Sequence, residues 1–263
     1  MRRVEVHRDG VTLSCLDSGP GGDDVVVLLH GLAGSAREML PTAAALLPDH
    51  RVIAVDQRGH GHATRRPEDV SRRAYVDDVV AVVHELAGGR PVTIAGQSMG
   101  GHTAMLTAAW HPDVVGRLVM LEAGVGGDEG DYPAKLGAFF SSWPVPFPDP
   151  GTAAGFLGST PIARAWLDDL EQCADGLRPR FDADVMRAAI TPVAALARWD
   201  EWQRVKAPTL LVLAERGVIE APESQRMLRT RPEVTHTVIA DCGHDAHLEQ
   251  HDAWIRVLRD FLR

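Results

Sequence analysis

Six continuous apolar runs determine the fold class of this sequence. Each run is rich in Val, Leu and Ile and lacks polar alternation, which is typical of strands covered on both faces. Stretches with a helical pattern separate the runs, and this alternation predicts a parallel sheet with helices on both sides. The apolar runs are 24–30, 51–56, 91–96, 117–122, 208–214 and 235–240, and the helical stretches are 36–47, 71–87, 99–110, 222–230 and 247–262.

Two shorter β-prone segments precede the first apolar run, at residues 2–7 and 11–19. Asp9 and Gly10 lie between them, and an Asp-Gly pair is typical of a hairpin turn. The hairpin adds an antiparallel edge to the sheet. The predicted fold class is therefore α/β, with a doubly wound, mostly parallel sheet of eight strands. A sheet of this kind binds its ligands at the carboxyl ends of the strands.

One long segment interrupts the strand rhythm. Residues 124–204 contain no clear buried strand, and they open with glycines and acidic residues before a proline-rich stretch. Helical patterns resume at 161–177 and 183–205. We expect a helical cap at 124–204, inserted into a core made of residues 1–123 and 205–263. Some aromatic side chains of the cap should line the substrate pocket, and the candidates are Trp143, Trp166 and Trp199.

The composition and charge of the chain indicate which kinds of partner it can bind. The formal net charge of the 263 residues is −9, which disfavours nucleic acid or an anionic membrane and favours a small-molecule substrate. No apolar window approaches the length of a membrane span, and the first residues lack the apolar middle region of a secretory signal. The three cysteines are widely spaced and form no CxxC pair. These features predict a cytoplasmic protein and leave its oligomeric state open.

Residues 96–100 read Gly-Gln-Ser-Met-Gly, a match to the G-x-S-x-G pattern. The pattern lies between a predicted strand and a predicted helix, which is the context of a nucleophile elbow. Ser98 would then occupy a strained turn, with its hydroxyl exposed at the helix N-terminus. The alternative is that Ser98 only caps the helix. Capping alone does not require the flanking glycines Gly96 and Gly100, so we favour Ser98 as a nucleophile.

Together with three further motifs, the elbow resembles the α/β-hydrolase superfamily over nearly the whole chain. The motifs are His-Gly-Leu-Ala-Gly-Ser at 30–35, Asp-Gln-Arg-Gly-His-Gly at 56–61 and the stretch 241–250 around His244. The resemblance implies that His244 is the general base and that the backbone N–H groups of Leu32 and Met99 form the oxyanion hole. Gly31 and Gln97 then border the substrate pocket. No organic cofactor or metal is implied.

The sequence departs from the pattern of this superfamily at the third catalytic residue, the acid. Most of the superfamily carries an aspartate shortly after the seventh strand, but that position is Gly217 in this sequence. Three glutamates can replace it: Glu122 at the end of the sixth strand, and Glu215 and Glu220 after the seventh. Glu122 is favoured, since some members carry their acid there. The alternatives are a strand-end acid bonded to backbone for Glu122, and a solvated loop for Glu215 and Glu220.

Other histidines and acids in these motifs have simpler interpretations. His30, Asp56 and His60 are expected to shape their loops and not to react. His247 and His251 give the spacing H-x2-H-x3-H with His244, but no acidic or cysteine ligand completes a metal shell, and residues 247–250 look like the opening of a helix.

The function predicted on this basis is hydrolysis of a carboxylic ester, lactone or thioester of a small to medium apolar substrate through an acyl-serine intermediate. Several alternatives share the fold: a C–C bond hydrolase, a cofactor-free haloperoxidase, and a biosynthetic lyase or cyclase. An alternative of another class is a non-catalytic ligand-binding receptor. Fold alone does not choose among them.

Overall fold

A computed structural model of the chain describes residues 1–20, 24–127 and 130–263. Its main feature is an eight-stranded sheet in the order β1-β2-β4-β3-β5-β6-β9-β10. The pairs β1/β2 and β2/β4 are antiparallel, and all the other neighbours are parallel. The strands are β1 Arg2–Arg8, β2 Val11–Asp17, β3 Val25–Leu29, β4 Arg51–Asp56, β5 Val92–Gln97, β6 Val115–Leu121, β9 Thr209–Ala214 and β10 Thr235–Ile239. The predicted fold class is confirmed.

Helices cover both faces of the sheet. Residues 72–87, 99–110 and 199–204 contribute helical side chains that pack with one apolar side of the strands, and residues 40–46 and 251–262 contribute those that pack with the other. The helices outside the insertion are α1 Leu40–Leu46, α2 Arg72–Ala87, α3 Met99–Trp110, α9 Ala221–Thr230, α10 Ala246–Glu249 and α11 His251–Leu262. No helix in the described ranges has the length and apolarity that crossing a membrane requires.

The chain leaves the large sheet after β6 and returns to it at β9. The intervening segment contains the helices α4 Tyr132–Ser141, α5 Pro150–Leu157, α6 Pro161–Asp168, α7 Ala183–Ala195 and α8 Trp199–Arg204, and a small antiparallel pair of β7 Glu171–Cys173 and β8 Gly176–Arg178. An aromatic cluster around Phe140, Trp143, Phe147 and Phe181 forms its own apolar core. Of the acidic opening that the sequence analysis noted, residues 128 and 129 lie outside the described residues.

Three details differ from the predicted elements. The helical pattern at 161–177 ends at Asp168, and the rest of that stretch forms the β7–β8 hairpin. The predicted helix at 36–47 begins only at Leu40, because the chain first makes tight turns such as the bond from Met39 N–H to the Ala36 carbonyl. The predicted helix at 247–262 is divided at Gln250, whose backbone is not helical.

Candidate active site

The turn between β5 and α3 has the geometry of a nucleophile elbow. Ser98 has φ 53° and ψ −121°, a conformation that costs a residue with a side chain about 1–3 kcal/mol. A Cβ at Gly96 would overlap the backbone of Gly100, and a Cβ at Gly100 would overlap the carbonyl of Leu29. Only glycine therefore fits on either side of the turn. This turn conformation directs the Ser98 side chain outward at the carboxyl edge of the sheet.

Two backbone segments meet beside Ser98. Met99 is the first residue of α3, so its N–H has no acceptor within the helix. On the other side, a Cβ at Gly31 would lie 3.3 Å from the Ser98 Cβ, which brings the loop carrying Leu32 next to the serine. This arrangement can present two N–H donors to an oxygen that develops negative charge at Ser98.

His244 lies in the loop that follows β10. Its backbone carbonyl accepts a 3.1 Å hydrogen bond from the side-chain amide of Gln97, which ties the histidine loop to the end of β5. On the far side of the loop, the Gly243 N–H donates to the Glu249 carboxylate at 2.9 Å. The imidazole is 26% exposed and borders the same cavity as Ser98. Gln97 therefore has a structural role at this edge.

The carboxylate of Glu122 reaches His244 from the end of β6. Its Oε2 lies 3.4 Å from His244 Nδ1 and also accepts the Val218 N–H at 2.8 Å, while Oε1 accepts the Ala214 N–H at 2.7 Å. Glu122 is 1% exposed and has φ 47°. A Cβ at Gly217 would overlap both of its carboxylate oxygens. The glycine at the usual aspartate position therefore leaves the space that the glutamate fills.

The two other candidate acids lie elsewhere. The Glu215 carboxylate is exposed and accepts the Asp241 N–H at 2.8 Å. Glu220 precedes α9 and is exposed on the rim of the cavity. Of the three candidate glutamates, Glu122 is the one whose carboxylate lies 3.4 Å from His244 Nδ1.

A cavity of about 880 Å³ opens in front of Ser98. Ser98, Glu122 and His244 border it, and the insertion contributes an apolar wall from α7, α8 and the turn between them. The wall residues are Ile190, Val193, Ala197 and Trp199. Trp199 is further fixed by Arg226, whose guanidinium carbon lies 3.8 Å from the centre of its ring. Of the three tryptophans expected at the pocket, Trp199 borders this cavity.

Trp143 and Trp166, which the sequence analysis also expected at the pocket, do not border this cavity. Trp143 is 4% exposed and packs edge-on against Trp166 and Phe181, with ring centres 5.3 and 5.5 Å apart. Trp166 donates its indole N–H to the Ala33 carbonyl at 3.1 Å. Both rings belong to the aromatic core of the insertion, because that core needs large apolar side chains to cover its own helices.

One residue of the cavity wall was missed in the sequence. His102 lies one helical turn after Ser98, and the i, i+4 spacing on α3 would have placed both on one face. Burial lowers the pKa of His102 well below its ordinary value, and the guanidinium groups of Arg72 and Arg198 lower it further. The ring is therefore uncharged at neutral pH, which gives the cavity wall a neutral polar group.

The remaining histidines of the motifs have structural partners. His30 Nε2 accepts the Gln57 N–H at 3.1 Å, and His60 Nδ1 lies 2.9 Å from the Arg58 carbonyl. Burial lowers the pKa of His60 to about 3. His247 Nε2 lies 2.9 Å from Glu38 Oε1, with both side chains buried.

Asp56 also has a structural position, since its Oδ1 accepts the Ala36 N–H at 2.7 Å. Within the described ranges, no group of three His, Cys, Asp or Glu side chains is arranged to hold a metal ion.

Comparisons with known proteins show the family to which the chain belongs. The sequence model of the alpha/beta hydrolase family matches residues 26–257. A pimeloyl-[acyl-carrier protein] methyl ester esterase of Neisseria meningitidis is 29% identical over 93% of this chain and 95% of its own length. An sn-1-specific diacylglycerol lipase of Mus musculus is 26% identical over 90% of this chain and 80% of its own. The crystal structure of an E-2-(acetamidomethylene)succinate hydrolase superposes with a TM-score of 0.88 at 21% identity, covering 99% and 98% of the two chains.

Proposed function

Because this chain belongs to the alpha/beta hydrolase family and is an enzyme of the hydrolase type, we propose that it cleaves a carboxylic ester, lactone or thioester through an acyl-serine intermediate. One observation carries the proposal. The strained Ser98 and the imidazole of His244 border one cavity, and the buried Glu122 carboxylate lies 3.4 Å from the Nδ1 of that imidazole. This is the geometry of a nucleophile, a base and an acid that orients the base.

In the proposed reaction, His244 Nε2 accepts the Ser98 hydroxyl proton as the serine oxygen attacks the substrate carbonyl. The N–H groups of Leu32 and Met99 stabilise the oxyanion, a contribution of about 3–4 kcal/mol for each donor in known hydrolases. The imidazolium then donates its proton to the leaving alcohol or thiol. Water, deprotonated by His244, attacks the acyl-serine and releases the acid. Glu122 fixes the Nδ1–H tautomer and stabilises the imidazolium throughout.

The cavity supports a substrate of small to medium size. Its volume of about 880 Å³ lies within the range of small-molecule sites. The apolar wall formed by Ile190, Val193 and Trp199 supports an apolar acyl or leaving group. We further propose that residues 124–204 act as a cap whose α7 and α8 select the substrate.

A panel of p-nitrophenyl esters, lactones, acyl thioesters and C–C substrates, tested on the wild type and on Ser98→Ala, checks the proposal. We expect ester turnover and fluorophosphonate labelling of the wild type, and loss of both in a Ser98→Ala variant of unchanged melting temperature. A folded variant with a rate within about tenfold of the wild type would exclude Ser98 as the nucleophile. Turnover of C–C substrates alone would favour a C–C hydrolase, and binding without turnover would favour a receptor.

A further inference from the structure

The loop that carries Leu32 is held in an unfavourable conformation. We call residues 30–35 the oxyanion loop. Ala33 has φ 59°, in the left-handed region that a residue with a Cβ adopts only when its surroundings impose it. From the core, the Gln57 side chain donates to the His30 carbonyl at 2.7 Å, and the Gly34 N–H donates to the Gly31 carbonyl at 3.2 Å. These bonds fix the start of the loop but not the carbonyl of Ala33.

The insertion supplies the partner of that carbonyl. Trp166, near the end of α6, donates its indole N–H to the Ala33 carbonyl at 3.1 Å. The indole ring is itself fixed edge-on by Phe140 and Trp143, with ring centres 6.3 and 5.3 Å away. Three residues after Trp166, Asp169 borders the same small cavity as Ala33 and Gly34. The end of α6 therefore lies beside the middle of the oxyanion loop.

We propose that Trp166 is a positioning residue, whose indole N–H holds the Ala33 carbonyl and so orients the neighbouring Leu32 N–H toward the oxyanion. This inference rests on the proposed function, because it assigns Trp166 a role in the same oxyanion hole. Donors in such a hole act at 2.7–3.1 Å from the oxyanion, and a misplacement of about 1 Å can cost about 100-fold in rate. Loosening the loop without removing a donor should therefore lower kcat about tenfold.

Trp143 provides a matched control in the same aromatic cluster. Its indole N–H is buried without a hydrogen-bond partner in the described part of the chain, and its ring does not border the cavity. Replacing either tryptophan with phenylalanine removes an N–H and part of one ring. Only Trp166→Phe also removes a bond to the oxyanion loop. The comparison therefore separates the hydrogen bond from aromatic packing.

The test measures kcat and KM on p-nitrophenyl butyrate and the inhibition constant of a trifluoromethyl ketone, whose oxyanion occupies the hole. We expect Trp166→Phe to lower kcat and ketone affinity each about tenfold, with KM changed less than twofold. Trp143→Phe keeps an aromatic ring beside Trp166 and the bond to Ala33, so it should change each of the three less than threefold. Equal losses in both variants would assign the effect to packing and overturn the proposal, as would an unchanged kcat in Trp166→Phe.

Hydrogen exchange of the amides of residues 31–35 gives a readout that does not depend on turnover. Amide exchange at residues 31–35 should be faster than in the wild type in Trp166→Phe but not in Trp143→Phe. Equal exchange rates in these two variants would overturn the proposal. If Ser98→Ala kept its activity, the proposed function would fail while this readout still decided the role of Trp166. If Trp166→Phe did not fold, Trp166→Met would replace it, with Trp143→Met as its control, since only the first of these removes the bond to the Ala33 carbonyl. Equal exchange rates in these two variants would then overturn the proposal.

Discussion

Replacing Gly217 with alanine should disable the site by displacing the Glu122 carboxylate. A Cβ at this position would overlap both carboxylate oxygens, whereas ordinary contacts of a Cβ begin at 3.4 Å. The carboxylate therefore has to move by about 1 Å, and such a misplacement can cost about 100-fold in kcat. The same movement weakens the bonds that Glu122 accepts from the N–H groups of Ala214 and Val218. Leaving a buried N–H unsatisfied costs about 1–3 kcal/mol.

The assay is steady-state hydrolysis of p-nitrophenyl butyrate, with a thermal melt of each variant. Gly243→Ala is the matched control, since Gly243 directly precedes His244 and its nearest neighbour would be the flexible end of Glu249 at 3.3 Å. We expect Gly217→Ala to lose about 100-fold in kcat and Gly243→Ala to lose less than threefold. A Gly217→Ala variant with a rate within threefold of the wild type would refute the assignment of Glu122 as the orienting acid.

A double variant tests whether the acid can return to its usual position. Glu122→Ala empties the space beside Gly217, and Gly217→Asp then supplies a carboxylate from the loop after β9. We expect the double variant to recover at least tenfold in kcat over Glu122→Ala alone. No recovery, with both proteins folded, would mean that the loop after β9 cannot direct a carboxylate toward His244 Nδ1.

Three further outcomes follow from the site and its cap. Glu122→Gln should lower kcat about 10³–10⁴-fold with little change in KM, as measured by steady-state kinetics. Trp199→Ala should change the ranking of ester substrates, whereas Trp143→Ala should lower stability by about 3–5 kcal/mol and leave the ranking unchanged. Burial raises the pKa of Asp169 to about 6. Its folded-state pKa therefore exceeds the unfolded value, so stability should fall as pH rises from about 4 to 6. Denaturant titrations should show Asp169→Asn gaining about 1–3 kcal/mol over the wild type across this window and a constant gap above it.

The parallel strands were predictable because they are buried on both faces. In the run 208–214 the five residues from 210 onward are all apolar, and in the observed β9 even Thr209 is buried. The small hairpin of the insertion was missed although Asp175-Gly176 is the same turn signal that located the first hairpin at Asp9-Gly10. The strands around it are three residues long, so the flanking helical periodicity outweighed the turn.

The sequence could not predict which tryptophans border the cavity. Trp143, Trp166 and Trp199 all lie in the insertion, and the sequence offers no signal that separates a ring facing the cavity from one facing a neighbouring helix. That distinction depends on how α4, α6 and α8 pack against each other. It could be made only from the packing itself, which places Trp199 against Arg226 at the cavity and the other two in the aromatic cluster.

The contact between Glu122 and His244 depends on several local features at once. A carboxylate at the end of β6 reaches His244 only if the backbone turns at Glu122, where φ is 47°, and if residue 217 has no side chain. It also needs donors, which the N–H groups of Ala214 and Val218 supply from the neighbouring strand and loop. Glu122 is thus a strand-end acid bonded to backbone, as the alternative interpretation states, and its carboxylate also lies 3.4 Å from His244 Nδ1. The absence of a side chain at residue 217 can be read from the sequence, and it is one of the features that this placement of the Glu122 carboxylate requires.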